Sequence, residues 1–456
     1  MRVSELFGKA GIDYPQSAEN IEISEIVTDS RRVCEGCAFI CINGLSHDGH
    51  EYIGEAISHG ARVIVVEQVH DAGVGGAATI IVENTRRAAA LLYNVWHGSP
   101  AEGMTLVAVT GTNGKTTTKE LIREVLSVKY CVTATEGNLN NSIGVPLTLL
   151  KVNSQTQLAV VEMGASHPGD IKELVNIALP NFGLITNVGK AHLLGFGSFE
   201  GVMQTKGELY DYLRRTADKT FLNVDNPYLC RMASEREMHQ DSERPDQSLV
   251  IPYGLEYSSA KVLPSTSEYP FLRIELPSGR VVSTNLVGSY NADNVMAAIA
   301  VGNHFGVTLE EAVAAIEAYV PSNNRSQMTR TERNTLIVDA YNANPTSMEA
   351  ALKNFANVES DNKVAMLGDM LELGTDSVVE HIQVLRKALE SGIDLLCLVG
   401  EEFAKAVESE NACDKVKCFG TSQELAEWIT AYPMTDTVVL IKGSRGTRME
   451  KVITVL

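Results

Sequence analysis

The segment Val107-Ala-Val-Thr-Gly-Thr-Asn-Gly-Lys-Thr-Thr-Thr118 joins an apolar run to a turn bounded by Gly111 and Gly114, and then to a stretch with helical character. Glycine at those two positions lets the backbone bend close to an anion, and the first amides of a helix, from Thr116 onward, point N–H groups at it. Lys115 adds a mobile positive charge for terminal phosphates, and the Thr116 hydroxyl is suited to magnesium. The residue types predict a cradle for ATP. The spacing departs from the general G-x-x-x-x-G-K-[ST] pattern, which wants glycine where Val109 stands, so the strand-turn-helix context carries the prediction.

Two more side chains belong to the same sheet edge. Val160-Val-Glu-Met-Gly164 ends an apolar strand on Glu162, and a carboxylate there either turns to solvent or, if buried, asks for a cation. Thr186-Asn-Val-Gly-Lys-Ala-His192 sets His192 just beyond another strand. A single histidine is more often packed or exposed than ligating, and only the shared edge with Lys115 and Glu162 makes His192 a candidate ligand. Cys34-Glu-Gly-Cys37, with Cys41 nearby, lacks the second pair or the histidines of a zinc site and reads as a turn into a strand, not the start of a helix. The eight cysteines are dispersed through a large chain, so reduced, partly buried thiols are expected.

The elements that must position these groups follow from the pattern of the chain. At 456 residues the length suggests roughly three domains, each able to bury its own core. A composition of 44% hydrophobic and 21% charged residues is that of a globular protein, and a net charge of -19 argues against a nucleic-acid binder, which needs clustered cations. Local cations can still hold an anionic substrate within an acidic protein. No apolar run is long enough to span a bilayer, and Met1-Arg-Val-Ser-Glu-Leu-Phe-Gly8 lacks a signal-peptide core, so a cytoplasmic protein without membrane insertion is expected.

Residues 1 to about 100 read as a small α/β unit, with strands at Ala38 to Ile42 and Val63 to Glu67 and a helix at Tyr52 to His59. Strand, loop and helix then alternate, with strands at Leu106 to Thr110, Leu158 to Glu162, Phe182 to Asn187 and Thr220 to Val224. A parallel sheet with ligands at the carboxyl ends of its strands is predicted. Arg231 to Gln247 reads as a polar surface excursion, Phe271 to Asn285 as β-like, Ala297 to Gly302 and Leu309 to Tyr319 as helices, and Pro321 to Asn324 as a connector. Alternation resumes with strands at Thr335 to Asp339, Lys363 to Leu367, Leu395 to Gly400 and Thr437 to Lys442, which fits a second, doubly wound unit. The predicted fold class is α/β with three domains: residues 1–100, a central P-loop-type parallel-sheet ATPase domain at 101–321, and a Rossmann-like domain at 322–456. The chain shows no internal repeat and no low-complexity tract.

Six ordered motifs then narrow the choice. GTNGKTTT at the loop, GNLNNSIGVPLTLL from Gly137, EMGASHPGDI from Glu162, GKAHLLGFGS from Gly189, KGELY from Lys206 and DAYNANPTSMEAAL from Asp339 together resemble the Mur ligase family. The likeness extends to TDSRR at Thr28 to Arg32 and GLSHDGHEYI at Gly44 to Ile53, and so covers nearly the whole chain. It implies an N-terminal domain that holds a UDP-linked substrate, with Ser30 and Arg31 among its contacts, a central ATP-binding domain, and a C-terminal domain that closes over both. By the same resemblance the loop Gly111, Thr112, Asn113, Gly114, Lys115, Thr116 and Thr117 binds ATP, and Thr116 and Glu162 serve one magnesium ion. His192 and Lys206 serve a second, with Lys206 carboxylated in relatives, which would turn a repelling cation into a carboxylate-like ligand. Unmodified, Lys206 on a helix face would be a solvated amine.

The resemblance also matches Asn294 to an adenine contact, and Arg325 and Asp339 to γ-phosphate and ribose contacts across an interdomain cleft. Asn138 and Asn141 match positions near the muramoyl peptide and metal, where turn-forming asparagines are the alternative. Tyr290 stands where the family usually has histidine, and no role is carried over to it. Lys115, Lys206, His192 and Arg325 are the expected catalytic set. The sister branch that adds a diamino acid carries an Asp-Asn-Pro-Arg run, whereas this chain has Tyr341-Asn-Ala-Asn-Pro345. The dipeptide-adding branch is therefore implied, joining D-alanyl-D-alanine to UDP-N-acetylmuramoyl-tripeptide through an acyl phosphate, in cytoplasmic peptidoglycan precursor synthesis and as a monomer. Lys442-Gly-Ser-Arg-Gly-Thr-Arg448 either holds the acceptor carboxylate or is a solvated capping loop. The alternatives are a folate-polyglutamylating relative, which usually has Gly-Ser where this chain has Thr116-Thr117, and a non-catalytic nucleotide-binding regulator. ATP binding is expected to precede closure, which brings Arg325 and Asp339 to the loop.

Overall fold

The computed structural model describes residues 1–42, 48–68, 76–96, 104–153, 155–238, 248–266, 269–321, 325, 327–410 and 414–456. Residues 44–47 of the Gly44 to Ile53 motif, the expected boundary near 100, the 239–247 part of the Arg231 to Gln247 excursion, and residues 322–324 of the connector lie outside them. The chain forms two compact units: Met1–Ala108 with Tyr130–Met163 and Lys172–Phe182, and Val109–Lys129 with Gly164–Ile171 and Gly183–Leu456.

In the first unit, strands β1 (Ile26–Val27), β2 (Ala38–Ile40), β3 (Val63–Val66) and β4 (Ala78–Ile81) pair in parallel in that order. Side chains of a strand alternate between faces, and here the alternation sorts two cores. Ala38, Ile40, Val63 and Val65 pack with Val3, Leu6, Phe7 and Leu92. Phe39, Ile64 and Val66 pack with Ile53 and Ala56 on the other side. With both faces covered, β3 reads as an unbroken apolar run, as a buried parallel strand must. After β5 (Thr105–Thr110), β6 (Val132–Ala134) and β7 (Leu158–Glu162) also pair in parallel.

The second unit holds β8 (Phe182–Ile185), β9 (Lys219–Asn223) and β10 (Val250–Tyr253), of which the last two pair in parallel. An antiparallel meander follows: β11 (Lys261–Leu263), β12 (Arg273–Glu275) and β13 (Val281–Ser283). The last sheet has the order β14 (Gln327–Arg330), β15 (Asn334–Asp339), β19 (Thr437–Lys442), β16 (Lys363–Gly368), β17 (Leu395–Val399), β18 (Val416–Phe419). It is parallel except for β14. Ile337, Ala365, Leu367 and Leu440 face Met348, Leu352, Leu385 and Phe403. Leu336, Val364, Met366, Val439 and Ile441 face Leu425, Ile429, Met449 and Val452. Helices thus cover both faces, as expected for a doubly wound sheet.

Two expectations need correction. Arg231 to Gln247 does not begin as an excursion, because Pro227–Ser234 is a helix capped by the Asn226 side chain, with Leu229, Met232 and Ala233 buried. Its apolar stripe spans little more than one turn, too short to show a period against the charged residues around it. The strands β6, β10, β14 and β18 escaped the sequence reading. Each is a short strand at the edge of its sheet and only partly buried. No helix among the described residues is long and apolar enough to cross a membrane.

Candidate active site

The turn after β5 is built on its two glycines. Gly111 has φ 141° and a Cβ there would lie 2.1 Å from Thr186 Oγ1, while Gly114 has φ 78° and precedes the helix Lys115–Ser127, which no side chain caps. Neighbouring polar groups hold the loop in shape. Asn113 O accepts from Thr186 Oγ1 (2.6 Å) and Asn187 Nδ2 (3.0 Å), and Asn113 N–H donates to Asn187 Oδ1 (3.0 Å). Lys115 Nζ folds back onto the carbonyls of Gly111 and Thr112, each at 2.9 Å. Thr116 is buried at the helix start. Asn294 lies beneath Gly114, where it accepts from Thr118 Oγ1 (2.9 Å) and donates to Asn291 Oδ1 (2.8 Å). Its amide is thus engaged within the chain and braces the loop.

Lys206, on the helix Phe199–Thr216, is not the solvated amine that an unmodified lysine was expected to be. It is 2% exposed and donates to Ala165 O at 3.5 Å. Burial, and then the positive charge of Lys115, push its amine well below the ordinary lysine range. His192 caps the short helix Leu193–Phe196 with φ 51°, and its Nδ1 meets the Glu372 carboxylate. Burial lowers the His192 imidazole below 6.5, the Glu372 charge opposes that shift, and Lys115 and Lys206 add to it.

The C-terminal part of this unit reaches the loop through its own caps. Asn344 opens the helix Pro345–Ala356 with a capping box and exchanges amide hydrogen bonds with Asn113, donating at 2.8 Å and accepting at 3.4 Å. Thr346 Oγ1 accepts from Lys190 N–H at 3.2 Å, and Glu380 takes the Lys190 ammonium at 2.5 Å. Arg325 lies over the Tyr341 ring, its guanidinium carbon 3.7 Å from the centroid, with Arg445 at 5.6 Å from the same centroid. Lys442, expected to be part of a solvated or acceptor-binding loop, is instead 1% exposed and bound to Asp339 Oδ2 at 2.5 Å. A buried ammonium needs that partner, so Lys442 is already committed to one oxygen of Asp339.

The remaining sites belong to the first unit. Glu162 is buried, 1% exposed, and takes a hydrogen bond from Asn140 Nδ2 at 2.7 Å. The solvent-facing alternative for Glu162 is thereby removed. Asn141 Oδ1 accepts from the N–H groups of Ile143 (3.1 Å) and Gly144 (2.9 Å), so it acts as a turn former, and Asn138 is exposed. Ser30 and Arg31 lie on a turn capped by Asp29, whose carboxyl Arg31 holds down at about 2. Cys37 and Cys41 are buried free thiols, pushed up by burial to about 11 and about 12. Among the described residues no cluster of three or more His, Cys, Asp or Glu side chains could hold a metal by itself.

Within the second unit the structure therefore gathers Lys115, Thr116, His192 and Lys206, ties the predicted loop residue Asn113 to Asn344, and adds residues the sequence reading did not single out: Asn344, Thr346, Glu372 and Glu380. A signal was present in Asp369-Met-Leu-Glu-Leu-Gly374, an acidic turn directly after the buried strand β16.

Comparison with known proteins agrees over nearly the whole chain. Three family models match, described as Mur ligase family, catalytic domain (residues 22–105), Mur ligase middle domain (109–302), and Mur ligase, glutamate ligase domain (324–445). The UDP-N-acetylmuramoyl-tripeptide--D-alanyl-D-alanine ligase of Haemophilus influenzae is 33% identical over 446 residues, 95% of this chain and 94% of that protein. Among solved structures, MurF from Acinetobacter baumannii superposes with a TM-score of 0.81 at 29% identity, covering 99% of this chain and 98% of its own. MurF ligase from Thermotoga maritima, in complex with ADP, gives 0.78 at 26% identity, covering 95% and 97%.

Proposed function

This chain belongs to the Mur ligase family, with its three-domain α/β fold, and from that premise we propose that it joins D-alanyl-D-alanine to UDP-N-acetylmuramoyl-tripeptide at the expense of ATP. The domains divide at 1–100, 101–321 and 322–456. The enzyme acts in the cytoplasm, as a monomer, on a peptidoglycan precursor.

The tripeptide's terminal carboxylate attacks the γ-phosphorus of ATP, which gives an acyl phosphate and ADP. The amine of the dipeptide then attacks the acyl carbon, inorganic phosphate leaves, and the amine loses a proton. Carboxylate and triphosphate repel each other as they meet, so most of the catalysis is positioning and charge compensation. Lys115 is set to exchange its two loop carbonyls for phosphate oxygens. Arg325, stacked on Tyr341, presents its guanidinium to the γ-phosphate, and Asp339 serves the ribose. Asn294 supports the loop from below and lies at the adenine end, while Ser30, Arg31, Asn138 and Asn141 serve the UDP-linked substrate. Arg445 is the remaining cation beside Tyr341 for an acceptor carboxylate.

Magnesium fits the donor chemistry. Thr116 and Glu162 offer oxygen atoms, and the His192 ring offers nitrogen. Magnesium sites commonly use one or two protein ligands and complete the shell with phosphate and water. When bound, two ions would neutralise charge on the transferring phosphoryl group. Carbon dioxide adds to the uncharged form of an amine, the form that burial favours at Lys206, and loss of a proton then gives a carbamate with two oxygen donors.

The observation that carries this reading is the buried Lys206 amine, lowered in basicity by burial and by Lys115, since a nucleotide-binding regulator has no use for a desolvated amine there. Sustained, multiple-turnover ADP release is expected only when both the UDP-linked tripeptide and the dipeptide are supplied. Multiple-turnover ATP consumption that proceeds without dipeptide would refute the scheme. Lys206→Ala should be inactive and regain turnover with added short carboxylic acids. Mass spectrometry of products from defined muramoyl peptides checks the substrate.

A further inference from the structure

The turn between β16 and the helix Ser377–Glu390 is held with more bonds than a surface connection needs. Asp369 accepts from the N–H groups of Glu402 (3.0 Å) and Phe403 (2.9 Å). Met370 N–H donates to His381 Nε2 at 3.0 Å, and Leu371 N–H donates to Ser444 Oγ at 3.0 Å. His381 is fully buried, and its Nδ1 is 2.7 Å from Ser377 O, so its tautomer is set by the backbone on both sides. What this bracing presents is Glu372. Its carboxylate meets His192 Nδ1, and its carbonyl accepts from Leu194 N–H at 3.3 Å.

Both partners are in the left-handed region without being glycine, Glu372 at φ 64° and His192 at φ 51°. A side chain with a Cβ is sterically disfavoured there, and strain of this kind persists only where surrounding bonds impose it. Two strained residues that face each other are the mark of an arrangement kept for its geometry. Yet the Glu372 side chain is 58% exposed, so the pair does little for the core.

We propose that Glu372 is a positioning residue for His192: it holds the ring proton on Nδ1 and fixes the ring plane, so that Nε2 offers its lone pair to a divalent cation. Metal-bound histidines generally donate their other N–H to a carboxylate or carbonyl, which orients the ring and raises its basicity. Here that partner comes from the β16 turn, which also carries the contacts to His381 and Ser444, so the C-terminal sheet has to be seated before the ring is aimed. The inference rests on the reading of His192 as a metal ligand.

The test uses full-length protein labelled with 15N-histidine, with Mn2+ plus ADP as the metal probe. Long-range proton–nitrogen NMR of the metal-free protein should show His192 as a single Nδ1–H tautomer, its signal assigned by His192→Ala. Glu372→Ala should shift it toward Nε2–H and lower Mn2+ affinity about 10–100-fold. Glu372→Gln, whose amide oxygen still accepts from Nδ1–H, should keep the tautomer and most of the affinity. An unchanged tautomer in Glu372→Ala overturns the proposal. Mn2+ binding that falls in His192→Ala but not in Glu372→Ala overturns the positioning role alone. Binding that His192→Ala leaves intact overturns the ligand reading and, with it, the metal half of the proposal.

Discussion

The turn after β5 and the turn after β16 both leave buried parallel strands, and both carry a charged side chain, Lys115 and Glu372, but they bear their backbone strain differently. After β5 the positive φ values fall on Gly111 and Gly114, which adopt them at no steric cost. After β16 the positive φ falls on Glu372 ahead of Gly374, and buried partners at His381 and Ser444 hold it there. A glycine turn lets backbone approach a ligand closely. A braced turn aims one side chain. The first is suited to wrap phosphate, the second to direct a carboxylate at one ring nitrogen.

Substitutions should separate the two designs. The largest effect is expected at Lys206, where Lys206→Met should cut turnover by about 10³-fold or more, as loss of a group that stabilises transition-state charge does. The same change should raise the melting temperature in carbon-dioxide-free buffer. Because the folded chain holds this amine below its ordinary 10.5, the unfolded chain takes up the proton first as pH falls. Stability is therefore lost from about pH 10.5 down to the folded value, and the gap between Lys206→Met and the parent should widen over that window and then level off. Denaturant titrations across pH would show a constant gap if the amine were charged in the folded protein.

Next in size is Gly111→Ala, which places a methyl 2.1 Å from Thr186 Oγ1 at φ 141°. A loss of about 3 kcal/mol and of nucleotide binding is expected, read by denaturant unfolding and by titration with ATP. His381→Ala leaves the Met370 N–H without its acceptor and opens space beside Phe403, at a cost of about 2 kcal/mol by chemical denaturation. The smallest effect is Glu372→Gly. It relieves a left-handed residue but loosens the unfolded chain, for a net change within about 1 kcal/mol. Near-equal losses from Gly111→Ala and Glu372→Gly would erase the distinction between the turns.

The same contrast sets what could be read before the fold was known. Glycines at 111 and 114 after an apolar strand announce their turn, and the unbroken runs at Lys363–Gly368 and Thr437–Lys442 announce buried strands. Glu372 gave no such notice, since its conformation is imposed by His381 and Ser444, 9 and 72 residues away in the chain. Lys206 looked like a surface amine because helical spacing says which face a residue occupies and not what covers it. The Lys442–Asp339 pair was hidden for the same reason: adjacency of β15 and β19 is a fact of topology.

The reciprocal amide bonds between Asn113 and Asn344 have one more consequence. Neither side chain is ionised, so mobile ions have nothing to shield, whereas the Lys190–Glu380 contact weakens as added electrolyte shortens the Debye length. In concentrated brine the phosphate loop should therefore stay fastened to the start of the Pro345–Ala356 helix after the neighbouring charged contact has slackened.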